Sequence, residues 1–220
     1  MIYTIICDTR KRDFSHLIKE DCRIKRQSIP GFSEEIREYI DRAKNSLARE
    51  ERYAAYSTLF YSLSCLYGID NPRIAKEKDG KPRLISHDIF FNISHSYGLV
   101  AVSISDECDV GVDLQSEISP EMEERLSERF LSGYYSLPHP LDISYLYLEE
   151  DKFFTLDLPM SDGEKIIDKW TSFESVLKLF GHGFAAADNA KNLAQNVKTD
   201  IRVIEIDNIR FSLSNSIKNG

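Results

Sequence analysis

Phe91-Asn92-Ile93-Ser94-His95-Ser96 runs through the apolar segment Leu99 to Ile104 and the connector Asp106-Glu107-Cys108-Asp109 into Val110-Gly111-Val112-Asp113-Leu114-Gln115. This stretch decides how the chain is read, and it predicts two strands and a turn. In the second strand Val110, Val112 and Leu114 alternate with Gly111, Asp113 and Gln115. A two-residue repeat therefore sends the apolar set to one face and places Asp113 and Gln115 together on the other. A carboxylate and an amide oxygen one pleat apart, beside a glycine with no side chain to obstruct a ligand, suit a hard divalent cation such as magnesium. On spacing alone, a solvated aspartate on an exposed strand face accounts for the same pattern.

Around this stretch lie 220 residues, 42% of them hydrophobic, enough to bury a core as one domain or two small ones. No run approaches the roughly 18 apolar residues of a membrane span. Met1-Ile2-Tyr3 opens straight into strand-like sequence without a basic flank or cleavage site, so a cytoplasmic location is expected. The four cysteines, Cys7, Cys22, Cys65 and Cys108, are scattered without a CxxC pair and signal neither zinc nor a disulfide framework. A net charge of -8 argues against generic nucleic-acid binding, which draws its affinity from clustered Lys and Arg. An anionic ligand must then meet a local basic patch. Arg10, Lys11, Arg12, Lys19, Arg23, Lys25 and Arg26, ahead of the turn Pro30-Gly31, are one place to find it.

Ser33, followed by Glu34 and Glu35, predicts an N-cap for a helix carrying Ile36, Tyr39, Ile40, Ala43 and Leu47. A second helix carries Tyr56, Leu59, Phe60, Leu63 and Tyr67 as a core stripe and ends near Gly68. Arg52 stands at the start of that helix, beside the stripe, where it either reaches an anion or is an ordinary solvated charge. Asp79-Gly80 predicts a hairpin turn that leaves Lys81 exposed and available where a strand begins at Pro82. Ser119-Pro120 predicts another helix start, with Met122, Leu126 and Phe130 on one side. Residues 133 to 160, rich in Tyr and Leu, read as a strand or hairpin insertion, either a docking surface or a small core of its own. Ser161-Asp162-Gly163-Glu164 has the capping-box pattern before a helix carrying Ile166, Trp170, Phe173, Leu177 and Phe180, closed by Gly181. On that helix Glu174 and Lys178 are four residues apart, a spacing that by itself describes a surface ion pair. Ile201 to Leu213 closes the chain as a hairpin around Asp207-Asn208.

Taken in order, Gly80-Lys81-Pro82, Phe91 to Ser96, Val110 to Gln115, and Trp170 to Lys178 with Gly181-His182-Gly183 resemble the 4'-phosphopantetheinyl transferases. The likeness is to the larger, monomeric type that activates peptide and polyketide synthases, and it is concentrated in residues 80 to 184. It implies an α+β fold of two similar halves related by a pseudo-two-fold, with coenzyme A in the cleft between them. The halves are expected at residues 1–104 and 105–220, the second carrying the metal-binding strand and catalytic helix. The resemblance makes Asp113 and Glu174 magnesium ligands, with Gln115 at a position that is commonly Glu in the family. It places Arg52, Lys81, Ser94 and His95 on the phosphates of coenzyme A and Lys178 near the reacting pyrophosphate. Asp113, Glu174 and Lys178 are then the catalytic residues. Phe173 stands where the family more often has Lys. The implied reaction moves the phosphopantetheine arm of coenzyme A onto a serine of an apo acyl or peptidyl carrier protein and releases adenosine 3',5'-bisphosphate. A coenzyme A or nucleotide binding module without transferase activity and a magnesium-dependent phosphohydrolase are the competing expectations.

Overall fold

Every residue of Leu99–Ser105 is buried, as befits a strand covered on both faces and both edges. In the computed structural model, which describes residues 1–10, 18–22 (backbone alone), 32–76, 80–134, 137–181 and 192–219, this strand lies inside a six-stranded sheet. The elements of the first part are β1 (Ile2–Asp8), β2 (Ile18–Cys22), α1 (Glu34–Asp41), α2 (Ser46–Tyr67), β3 (Ile74–Lys76), β4 (Pro82–Leu84), β5 (Phe90–Ser96) and β6 (Leu99–Ser105). There follow β7 (Val110–Ser116), α3 (Pro120–Leu126) with a π-helical turn at Ser127–Leu131, and β8 (Ile143–Glu149). β9 (Lys152–Leu156), α4 (Ile166–Phe180), β10 (Val197–Ile206) and β11 (Ile209–Lys218) complete the chain. The fold is mixed α+β, with sheets ordered β2-β9-β8-β1-β6-β5 and β10-β11-β7 and the small hairpin β3-β4.

The core is layered by strand alternation. From the six-stranded sheet, Ile5, Phe91, Val100, Val102, Ile104 and Leu146 pack under α1 and α2. Ile6, Leu99, Ala101, Tyr145 and Tyr147 point the other way, against Val112, Leu114, Ile204, Phe211 and Leu213 of the three-stranded sheet. Beyond that, Trp170, Phe173 and Leu177 of α4 pack with Leu126, Leu131 and Tyr134. One connection pattern occurs twice. β1 leads through α2 to β5 and β6, paired antiparallel in the order β1-β6-β5, and β7 leads through α4 to β10 and β11 in the order β7-β11-β10.

Several expectations change. The Phe91–Gln115 stretch is three strands, because Tyr97 and Gly98, both at positive φ, turn the chain between β5 and β6. The segment expected as a strand or hairpin insertion supplies the antiparallel pair β8–β9, and β8 also pairs in parallel with β1, so Tyr145, Tyr147 and Phe153 fill the main core. Strands from both sides of residue 104 consequently share the larger sheet. The first helix stops at Asp41, and Leu47 belongs to α2, which Asn45 caps by accepting from Ala48 N at 2.8 Å. The expected capping box fails. Ser161 Oγ donates to Asp168 at 2.6 Å, Gly163 takes a φ of 74°, and α4 begins only after Lys165. Met122 is exposed, whereas Leu126 is buried. Ser119 caps α3, Gly181 closes α4 in the left-handed conformation, and the terminal hairpin turns at Asp207-Asn208, all as the sequence predicts.

Cys7, Cys65 and Cys108 are not in disulfides, and no helix among the described residues is long and apolar enough to cross a membrane. Asp79, His182, Gly183, Pro30 and Gly31 lie outside the described residues, as do Lys11, Arg12, Arg23, Lys25 and Arg26 of the basic stretch.

Candidate functional site

The two sheets meet along the edges β5 and β7, and the join is made by side chains. Asn92 Oδ1, Ser94 Oγ and Ser96 Oγ of β5 accept from Val112 N, Leu114 N and Ser116 N of β7 at 3.2, 3.1 and 3.1 Å. Each NH on that edge of β7 would otherwise be buried without a partner. The alternating polar residues read from Asn92-Ile93-Ser94-His95-Ser96 thus replace a backbone ladder.

Asp113 and Gln115 share a face, as the alternation predicts, and α4 covers it. The reading of Gly111 changes. A Cβ there would lie 2.1 Å from Ser175 O and 2.7 Å from Leu179 N, so the missing side chain admits the backbone of α4 rather than a ligand. That close approach brings Glu174 and Lys178 over β7. Lys178 Nζ donates to Asp113 Oδ1 at 2.5 Å and to Ser94 Oγ at 2.9 Å. Gln115 Nε2 donates to Asp113 Oδ2 at 3.1 Å and to Glu174 Oε2 at 2.6 Å, bridging the two carboxylates. Glu174 and Lys178 are therefore not a surface ion pair. Burial pushes the Glu174 carboxyl up to about 8, and the negative charge of Asp113 adds to the effect. Phe173, next to Glu174, is fully buried against Trp170 and has no access to the site.

Asp113, Gln115, Glu174, Lys178, Ser94, His95, Lys81 and Arg52 all line one cavity of about 440 Å³, together with Tyr39, Tyr56 and Lys76. They do not all have groups to offer. Ser94 Oγ donates to Asp113 Oδ1 at 2.9 Å and accepts from Leu114 N and Lys178, which exhausts one donor and two lone pairs. Its hydroxyl holds Asp113 and Lys178 in place and has no capacity left for a phosphate. Lys81 is buried, not exposed. Its Nζ donates to Asp109 Oδ1 at 2.6 Å, Leu179 O at 2.8 Å and Val110 O at 3.2 Å.

His95 Nδ1 lies 2.8 Å from Glu51 Oε2, which leaves Nε2 as the ring nitrogen for a ligand. Glu51 also accepts from Gly98 N at 2.5 Å. Burial works to raise the Glu51 carboxyl, but the bonds from His95 and Gly98 outweigh it and hold it below its ordinary value. Arg52 sits two turns into α2, not at its start. Its guanidinium lies 4.3 Å from the centroid of Tyr39, Nη1 donates to Tyr39 O at 2.7 Å, and the buried Nε has no partner among the described residues. Glu51 was not singled out in the sequence, because a Glu beside an Arg in a charged helical turn has no distinguishing spacing. The same holds for Asp109, which reads as loop acid.

Among the described residues no three His, Cys, Asp or Glu side chains converge as a metal-binding group. Asp113 and Glu174 are two carboxylates joined by an amide, and their charge is met by the Lys178 ammonium and the Gln115 amide nitrogen. The oxygen donors fit a magnesium ion, which takes one or two carboxylates and completes its shell with water and substrate phosphate. A half-turn of the Gln115 amide presents Oε1 in place of Nε2. No family model matches the chain, and no curated protein matches it.

Proposed function

We propose that this protein is a 4'-phosphopantetheinyl transferase. It moves the phosphopantetheine arm of coenzyme A onto a serine of an apo acyl or peptidyl carrier protein. The observation that carries this reading is the convergence of all eight residues picked out by the sequence resemblance on a single cavity. The repeated β-α-β-β connection supports two halves related by a pseudo-two-fold, one closing at β6 and the next opening at β7, close to the division expected at 104/105.

In the reaction the serine oxygen forms a bond to the phosphopantetheine phosphorus. The bond from that phosphorus to the oxygen shared with adenosine 3',5'-bisphosphate breaks, and the nucleotide leaves with the electron pair. Asp113, Glu174 and Gln115 would hold a magnesium ion, which would supply charge neutralisation on the pyrophosphate. The Glu174 carboxylate, ionised when it holds the cation, would take up the serine proton. Lys178 uses two of its three N–H groups within the protein and keeps one for the departing phosphate. Arg52 and His95, with Glu51 fixing the ring, bind the remaining phosphate charge, while Ser94 orients Asp113 and Lys178.

The test is incubation with coenzyme A, magnesium and an apo-carrier, followed by mass spectrometry of the carrier. Addition of one phosphopantetheine and release of adenosine 3',5'-bisphosphate is the expected result. Coenzyme A bound without modification of a panel of carriers would establish the binding module, and carrier-independent cleavage of coenzyme A the phosphohydrolase.

A further inference from the structure

A charged cluster of Lys81, Arg83 and Asp109 lies at the far end of α4. Arg83 holds Asp109 with two bonds, Nη1 to Oδ1 at 2.8 Å and Nη2 to Oδ2 at 2.5 Å. Asp109, so fixed, accepts from Lys81 Nζ, and the same ammonium reaches the carbonyls of Val110 at the start of β7 and Leu179 in the last turn of α4. Burial works to lower the Lys81 ammonium below its ordinary value, and Asp109 opposes it.

Leu179 O is one of the four carbonyls that a helix leaves without an internal partner at its C-terminus. An ammonium there also meets the negative end of the helix dipole. The same turn is the one admitted by Gly111, since a Cβ on Gly111 would strike Leu179 N and Cβ. Lys178 precedes Leu179 directly. Three elements are therefore tied at one nitrogen: the lead-in to β4, the first residue of β7, and the turn of α4 that carries Lys178.

We infer that Lys81 is a positioning residue, a latch that fixes the C-terminal turn of α4 against β7 and so sets Lys178 over Asp113. Its effect on transfer depends on the function proposed above; its effect on α4 does not. A phosphate could recruit Nζ only by displacing bonds to a carboxylate and two carbonyls at a residue that is 4% exposed.

The experiment compares wild type with Lys81→Met and with Asp109→Asn. Hydrogen–deuterium exchange over residues 176–181, coenzyme A affinity by calorimetry, and kcat well below the melting temperature are the readouts. In Lys81→Met, exchange in the last turn of α4 rises about ten-fold or more while α2 is unchanged. The rate constant kcat falls by about ten-fold or more, as for a catalytic group displaced by a fraction of an ångström. Coenzyme A affinity changes by less than about three-fold, whereas loss of a charged phosphate contact would weaken it by about ten-fold or more. Asp109→Asn gives the same pattern at smaller amplitude and decides the matter if Lys81→Met fails to fold. Unchanged exchange with weakened coenzyme A binding would overturn the latch in favour of a phosphate ligand. Raised exchange with unchanged kcat would reduce the contact to stability alone. If the wild-type protein transfers to no carrier, the proposed function falls, while the exchange result still decides whether Lys81 holds α4.

Discussion

Helices α2 and α4 each lie between the first strand and the last two of a β-α-β-β connection. Helix α4 lines the cavity with Glu174 and Lys178, whereas α2 lines it with Arg52 and uses Glu51 to hold His95, and the environments of the two acids are opposite. On α2, Glu51 is held by His95 and by Gly98 N, and its carboxyl lies below its ordinary value. On α4, Glu174 faces a second carboxylate, and its own is pushed up to about 8. The first acid is spent on fixing a neighbour; the second is left poised to gain and lose a proton. On the proposed function, the acid of α2 serves binding and the acid of α4 serves the reaction, by the partner each is given.

The sharpest way to break that division is to neutralise the acids on each side. Asp113→Asn and Glu174→Gln should each lower the transfer rate by about two to three orders of magnitude at saturating coenzyme A. Both should keep near-native melting. Near-wild-type turnover in both variants, measured by carrier mass shift, would remove the reacting half. Lys178→Ala should cost about two orders of magnitude in kcat, with coenzyme A affinity only modestly weakened. An exposed pair four residues apart would instead show a stability change of a few tenths of a kcal/mol, about the size measured for such pairs, and unaltered catalysis.

On α2 the same kind of change should act on binding. Glu51→Gln leaves His95 facing an amide in place of a carboxylate, and coenzyme A affinity should fall by about ten-fold while kcat is largely kept. A loss confined to kcat would mean that the two helices do not differ in role.

The pH dependence separates them further. Folded Glu174 holds its proton up to about 8, against an ordinary value of 4.5, so its contribution to stability is complete below about 4.5 and is lost as pH rises through about 8. Without magnesium, melting temperature should therefore decline toward pH 8 in wild type, and this component should be missing in Glu174→Gln. Glu51 has the opposite sign. Its contribution is present above 4.5 and is lost on acidification through its lowered value. The smallest effect is expected from Gln115→Glu, which adds a third carboxylate. It should lower the magnesium concentration for half activity by about a few-fold. No change would show that the side chain at 115 stays out of the cation's reach.

Alternation in Val110 to Gln115 made the face of Asp113 and Gln115 legible, and the spacing of Glu174 and Lys178 made their common side legible. Long-range packing was not. Gly111 read as ligand space because the sequence holds no sign that α4 presses its backbone there. Lys81 read as exposed because a lysine between a glycine and a proline looks like loop, and Leu179 O, its partner, is 98 residues away. Residues 133 to 160 read as an insertion because the parallel pairing of β8 with β1 joins segments 141 residues apart, and local periodicity carries no register. Ser161 to Glu164 matched a capping pattern, but the Ser161 hydroxyl found a buried aspartate first.

The seam between β5 and β7 has an evolutionary consequence. In a backbone ladder the hydrogen-bonding groups belong to every residue alike, so point mutation leaves the donors and acceptors untouched. Between these strands the acceptors are Asn92 Oδ1, Ser94 Oγ and Ser96 Oγ, each encoded by a single codon. The closure of the two sheets at the cavity is therefore directly open to variation. Selection can loosen or tighten it one NH at a time while leaving each sheet intact.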